Sequence, residues 1–150
     1  MSAAADPGPV VFAYDGSELA KLAIDEAGRQ LSARDGLVVC VWQPFDVGFV
    51  PASGLRFDAA EVREVKKSAE DTAAEGASLA EAAGFRARSL AVEGAPSWKA
   101  IVEVADDHDA SVIVLGSHGR TGLADVLLGS VAGAVAAHSR RTVFISHRRS

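Results

Sequence analysis

Cysteine occurs once, at Cys40. A lone thiol excludes an internal disulfide and any four-cysteine zinc site, and it fits a reducing compartment. Long apolar runs are missing as well: no stretch approaches the roughly 20 residues that a membrane-spanning helix requires. Residues 1–9 carry Asp6, Pro7 and Pro9 where a secretory leader would show a basic stretch followed by an apolar one. The expectation is a cytoplasmic chain, neither secreted nor inserted in a membrane. Positive charge is scarce, with 15 Lys and Arg against 20 Asp and Glu and a formal net charge of -5. Four of the cations, Arg140, Arg141, Arg148 and Arg149, gather near the end of the chain. Nucleic-acid binders concentrate their positive charge on one face, so an acidic body with a short basic tail argues against that class.

What is present is a hydrophobic fraction of 49% in 150 residues. A chain of this size buries roughly 68 to 70% of its unfolded surface, enough for one core without staples. Residues 10–14 (VVFAY) are a short apolar run flanked by Pro9 and Asp15-Gly16, the pattern of a buried parallel strand. Behind Ser17, a good N-cap type, Leu19, Ala20, Ala23, Ile24, Ala27 and Leu31 recur at helical spacing, and Asp35-Gly36 closes that segment. Residues 37–42 repeat the strand signal. Residues 43–57 hold Pro44, Gly48, Pro51 and Gly54 and form the one long irregular connection, a candidate lid or partner surface.

From 58 to 83 an Ala, Glu and Lys composition places Val62, Val65, Ala69, Ala73, Ala77 and Ala80 on one helical face, ended by Gly84. Residues 86–92 alternate as a partly exposed edge strand does. Ser97 is expected to cap a helix with Trp98, Ile101, Val102 and Ala105 facing inward. Residues 111–115 are the strongest strand signal, 126–138 a helix and 142–146 a final strand. Alternation of this kind predicts a single-domain α/β fold: an open five-stranded parallel sheet with helices on both faces. The expected organisation is a disordered segment 1–9, one α/β domain over 10–146 and a basic tail 147–150. In such sheets ligands bind beyond the carboxyl ends of the strands, near the switch in strand order.

The segment that follows the fourth strand is glycine-rich, with Gly116, Gly119, Gly122 and Gly129 followed directly by Ser130. Glycines permit positive φ and close backbone approach, while Gly129-Ser130 lies near a helix start whose free N–H groups attract phosphate. Ser130 and Arg120 add hydroxyl and guanidinium donors. By themselves these residues leave two readings open, an oxyanion site or a tight strand-to-helix turn. No GxxxxGK[ST] and no GxGxxG occurs. A phosphorelay receiver would need an acid at the end of the third strand and a lysine at the end of the fifth, where Glu93 is followed by Gly94 and Ser146-His147 ends the last. A flavodoxin would need a Ser/Thr-rich loop after the first strand.

The spacing Gly116, two residues, Gly119, nine residues, Gly129-Ser130, joined to Asp15-Gly16-Ser17-Glu18 and the Gly94-Ala95-Pro96 turn, resembles the universal stress protein family. The resemblance covers nearly the whole chain and implies a Rossmann-like fold of the adenine nucleotide alpha hydrolase-like type. It further implies the ATP-binding branch of the family and a nucleotide-dependent sensor or switch in stress response. Carried onto this sequence, it implies that Ala13, Tyr14, Asp15 and Val41 line the adenine and ribose side. Leu115, Gly116, His118 and Gly119 would surround ribose and phosphates, with Arg120 as a basic neighbour. Gly129, Ser130, Val131 and Ala132 would hold the phosphate chain. Mg2+ or Mn2+ would be held mainly by the phosphates, with Asp15 near.

It also implies a homodimer in which the last strand, from Thr142 to Ile145, pairs with its copy. Two positions depart from the family's habit: Thr142-Val143 stands where Pro-Val is common, and Ala132 where some relatives have a hydroxyl. No residue of the motif has a claim as general base, so no catalytic residue is assigned and at most slow ATP hydrolysis is expected. The competing class is a non-catalytic dimeric scaffold with an empty pocket or another adenine nucleotide such as a cyclic one. The run Asp106-Asp107-His108-Asp109 reads as a solvated acidic corner rather than a metal cluster, Cys40 as a buried hydrophobe, and Trp42 and Trp98 as packing residues.

Overall fold

A computed structural model of the chain describes residues 7–44, 59–119 and 128–148. Strands and helices alternate: β1 (Val10–Ala13), α1 (Glu18–Gln30), β2 (Asp35–Trp42), α2 (Ala59–Ala82), β3 (Arg86–Glu93), α3 (Ser97–Asp107), β4 (Val112–Gly116), α4 (Ser130–His138) and β5 (Thr142–Ser146). All neighbouring strands are parallel in the order β3-β2-β1-β4-β5. The fold is therefore the five-stranded α/β sheet with helices on both faces that the alternation predicts. The switch in strand order falls between β1 and β4, next to the segment bearing the glycines. The bulk of the irregular connection and the candidate lid, residues 45–57, lies outside the described residues, as do Arg120 and the basic Arg149.

Because side chains alternate across a strand, the apolar runs divide between two cores. Val10, Phe12, Tyr14, Val38, Val112 and Val114 pack with Ala20, Ala23, Ile24 and Ala80 under α1 and α2. Val11, Leu37, Val39, Ile113 and Leu115 pack with Ile101, Val104, Ala132 and Val135 under α3 and α4. Cys40 and Trp42 lie beneath α2 against Ala69 and Ala73, which bears out their reading as packing residues. β3 is an edge strand, as its Arg-containing alternation predicts.

Element boundaries differ from expectation at several points, each with a hydrogen-bonding reason. Asp35 and Gly36 begin β2 instead of forming the preceding turn, because they pair with Arg86 and Ala87 of β3. Pro96, not Ser97, is the N-cap of α3: its carbonyl accepts from the N–H groups of Lys99 (3.1 Å) and Ala100 (3.4 Å), so helical bonding starts one residue early. Leu128 and Gly129 precede α4 rather than belonging to it, while 126 and 127 lie outside the described residues. Within the segment expected to be disordered, residues 7–9 lie against the sheet end, where the Pro9 carbonyl accepts from Ser111 N–H (2.9 Å) and Gly8 packs on Asp109.

The acidic corner is organised by a cation. Arg141, just before β5, donates through Nε to Asp106 Oδ1 (2.8 Å) and through Nη1 to Asp109 Oδ1 (3.3 Å) and the Ala110 carbonyl (2.7 Å). Two of the carboxylates that resemble a metal cluster in sequence thus form a strap between α3 and β5. Among the described residues no group of three or more His, Cys, Asp or Glu is placed to hold a metal.

Two packing features generate tests. α2 crosses the sheet at Gly76, where a methyl group would lie 2.7 Å from both Tyr14 Cδ2 and Val38 Cγ1. Gly76→Ala gains about 1 kcal/mol of helix propensity but forces overpacking that costs about 1 to 3 kcal/mol. A net loss is expected, read as a lower urea midpoint at unchanged slope. Tyr14 is 2% exposed and its hydroxyl donates to the Glu75 carboxylate of α2. Burial, then that hydrogen bond, then the Glu75 charge push the phenol above its ordinary value. The folded phenol keeps its proton where the unfolded one loses it, so unfolding releases a proton above about pH 10. Stability is then expected to be intact below that pH and to fall as pH rises beyond it, and Tyr14→Phe to flatten the alkaline limb of a Tm-against-pH curve.

Candidate functional site at the carboxyl ends of the strands

Asp15 follows β1 directly. Its Oδ1 accepts from the Ser17 N–H (2.9 Å), and Ser17 Oγ in turn accepts from Ala20 N–H (3.2 Å) as the N-cap of α1. The turn needs Gly16, whose φ of 81° is the left-handed conformation that other residues avoid. The other Asp15 oxygen, Oδ2, faces the loop after β4: a methyl on Gly119 would lie 2.8 Å from it. The end of β1 and the glycine segment therefore meet across the switch point because Gly119 has no side chain.

The glycine segment is pinned at both described ends. Ser117, 1% exposed, donates its N–H to the Ser146 carbonyl (2.8 Å) at the end of β5. Its own carbonyl accepts the Gly129 N–H at 2.6 Å, which brings the two limbs of the loop together. The approach is tight, since a methyl on Gly129 would lie 3.2 Å from the Ser117 oxygen and 3.3 Å from His118 Cα. His118 Nδ1 lies 3.2 Å from Ser117 Oγ.

Gly129 is also the N-cap of α4, with extended backbone (φ -68°, ψ 169°) and no side-chain cap. The first helical bond runs from Gly133 N–H to the Gly129 carbonyl (2.9 Å). The N–H groups of Ser130, Val131 and Ala132 consequently have no acceptor within the helix. They carry the partial positive charge of the helix start, and the exposed Ser130 hydroxyl stands beside them. Such an arrangement attracts an oxyanion.

The structure brings Asp15, Gly116, His118, Gly119, Gly129 and Ser130 to the same end of the sheet. Ala13, Val41, Leu115, Val131 and Ala132 belong to the α3/α4 core, with Leu115 and Ala132 fully buried, so those two have only backbone to offer a ligand. The Tyr14 side chain does not join them, because period-2 alternation turns it to the α1/α2 face and Glu75. Arg120 lies outside the described residues.

Two features escaped the sequence reading. Ser117 ties the loop together through its backbone, and its only sequence signal is its place between Gly116 and Gly119. The second is an open hollow of about 610 Å³ bordered by Gln43, Pro96, Ser97, Trp98, Ser130 and Val131. The Gly94-Ala95-Pro96 turn was its one signal. Trp98 packs, as expected, stacking on His138 with ring centroids 4.4 Å apart, but it also borders this hollow.

The pattern of the Universal stress protein family matches residues 8–147. Universal stress protein MJ0577 of Methanocaldococcus jannaschii is 34% identical over 90 residues, 60% of this chain and 48% of that protein. Universal stress protein Mb2028c of Mycobacterium bovis is 34% identical over 149 residues, 95% of this chain and 46% of that protein. The matched stretch thus spans about half the length of each of these relatives. In three dimensions the solved structure of MJ0577 superposes with a TM-score of 0.79 at 26% identity, over 95% of this chain and 97% of that one. A universal stress protein solved in complex with cAMP superposes with a TM-score of 0.67 at 30% identity, over 95% of this chain and 98% of that one. With the family pattern running through every strand and helix of the sheet, the chain belongs to the universal stress protein family.

Proposed function

We propose that this chain is an ATP-binding universal stress protein of the cytoplasm, acting in stress response as a nucleotide-dependent sensor or switch. The observation that carries the reading is the α4 start: three successive N–H groups without helical acceptors, no capping side chain, and a glycine segment held closely beside them. The β- and γ-phosphate oxygens would accept from Ser130, Val131 and Ala132 N–H and from the Ser130 hydroxyl. Arg120 would add a cation. Asp15, at the end of β1, would face the ribose or a phosphate-held Mg2+ or Mn2+, whose preference for oxygen ligands it satisfies. Occupancy would change the surface that a partner meets.

Adenine as the base draws support from the relative that was solved in complex with cAMP. That same relative favours the second reading, a non-catalytic scaffold whose ligand is a cyclic adenine nucleotide. At most slow hydrolysis accompanies either. The homodimer belongs to this proposal too: β5 ends the sheet, and pairing Thr142 through Ile145 with a second copy would satisfy its outer edge.

Calorimetric titration is expected to show ATP binding, with cAMP weaker; the reverse order would select the second reading, and no heat or thermal stabilisation at millimolar nucleotide would refute both. Gly129→Val is expected to weaken binding strongly, since even a methyl there lies 3.2 Å from the Ser117 carbonyl oxygen and 3.3 Å from His118 Cα. Ser130→Ala removes one hydroxyl donor worth about 0.5 to 1.5 kcal/mol, a loss of up to about tenfold in affinity. Sedimentation at micromolar concentration is expected to give the mass of a dimer, and a stable monomer would remove the β5 pairing from the proposal.

A further inference from the structure

Tyr14 and Asp15 are neighbours with opposite destinations, and the first is fixed at three points. Its N–H donates to the Val39 carbonyl of β2 (2.9 Å), one residue beyond the end of β1. Its ring is buried against Gly76 of α2, where even a methyl would meet it at 2.7 Å, and its hydroxyl donates to the Glu75 carboxylate. Glu75 is exposed, and among the described residues that carboxylate has no other hydrogen-bonding or ionic partner. On the far side of Asp15, a methyl on Gly16 would lie 3.7 Å from Thr72 Cγ2. Thr72, Glu75 and Gly76 stand at i, i+3 and i+4, which is one face of a helix. That face of α2 meets residues 14 and 16, and Asp15 lies between them.

We infer that Tyr14 and Glu75 are positioning residues of the nucleotide site, holding the turn after β1 so that Asp15 Oδ2 keeps its place opposite Gly119. The inference rests on the nucleotide-binding reading above and gives Tyr14 and α2 a part in it without any contact to the ligand. With the N–H, ring and hydroxyl of Tyr14 all fixed, the peptide that joins it to Asp15 has little freedom. Asp15 Oδ1 is held by the Ser17 N–H, so the direction of Oδ2 follows from where the turn sits. A carboxylate that serves a ligand must be kept within about 0.5 Å of its working place, and the residues packed behind it set that tolerance. Glu75 acts here as a hydrogen-bond acceptor and not as a charge, since a carboxamide oxygen can take the same O–H.

The test titrates ATP with Mg2+ into the full chain and its variants by calorimetry, with Tm recorded for each. Asp15→Ala sets the reference loss. Glu75→Leu and Tyr14→Phe are each expected to weaken ATP by roughly threefold to tenfold, the range of one hydrogen bond, and the two together by no more than either alone. Glu75→Gln is expected to stay within about twofold of the wild type, because its oxygen accepts from the same hydroxyl. In the Asp15→Ala background, Glu75→Leu should cost no further affinity, although it should lower Tm in both backgrounds. A merely structural role for Glu75 gives instead the same added loss of affinity whether Asp15 is present or not. Unchanged affinity in Tyr14→Phe, which keeps the ring and its packing, a loss in Glu75→Gln as large as in Glu75→Leu, or additive losses for Glu75→Leu and Asp15→Ala would overturn the positioning role while leaving nucleotide binding standing. So would an Asp15→Ala chain that binds ATP as the wild type does. A wild-type chain that binds no ATP would overturn both readings.

Discussion

A single backbone hydrogen bond, from Gly129 N–H to the Ser117 carbonyl, sets the geometry of the end of this molecule that carries the candidate site. It returns the chain after the glycine segment to the point where β4 ended, and it fixes the residue at which α4 begins. Because the N-cap is a glycine, no hydroxyl or carboxamide folds back to occupy the next amides. The helix start is thus left with donors to give. A serine or aspartate as N-cap would leave fewer donors for an anion, since its own oxygen would take one of them.

The same economy of space appears wherever two backbones meet near the site. Gly116 lets the start of α1 approach β4, where a methyl would lie 2.9 Å from the Leu19 backbone, and Gly119 lets the loop reach the Asp15 carboxylate. The Gly116 contact is with main chain, so no repacking of side chains can relieve an added methyl there, whereas at Gly119 the neighbour is the Asp15 carboxylate itself. Adjacent residues at the end of β1 show how sharply the alternation of a strand divides structure from function. Tyr14 is locked into the α1/α2 core, while Asp15, one position on, turns into the crevice.

Much of this was legible beforehand. Continuous apolar runs separated by helical spacing mark buried parallel strands, since only such strands are covered on both faces. The glycine spacing pointed to the segment that the structure places beside the switch in strand order, where Gly116, Gly119 and Gly129 each sit in close approach to a neighbouring segment. Less legible were the boundaries. Asp35-Gly36 has turn composition yet joins β2, since β3 offers it a ladder; Ser97 has cap composition yet lies inside α3, since Pro96 already accepts the first helical bonds. Trp98 was readable as a packing residue but not as a wall of a hollow, because Gln43, which also borders it, lies 55 positions away in sequence, just after β2.

Composition, periodicity and the glycine pattern by themselves determined the α/β class, the number of strands and their succession along the chain, for these depend on local preference and on which residues must be buried. Which face each strand residue takes, where α4 starts, and which side chains from α3, α4 and the segment after β2 share one hollow were decided only by the tertiary structure. Those outcomes depend on hydrogen bonds and contacts between residues far apart in the chain, whose partners become defined only when the sheet has closed its order around β1.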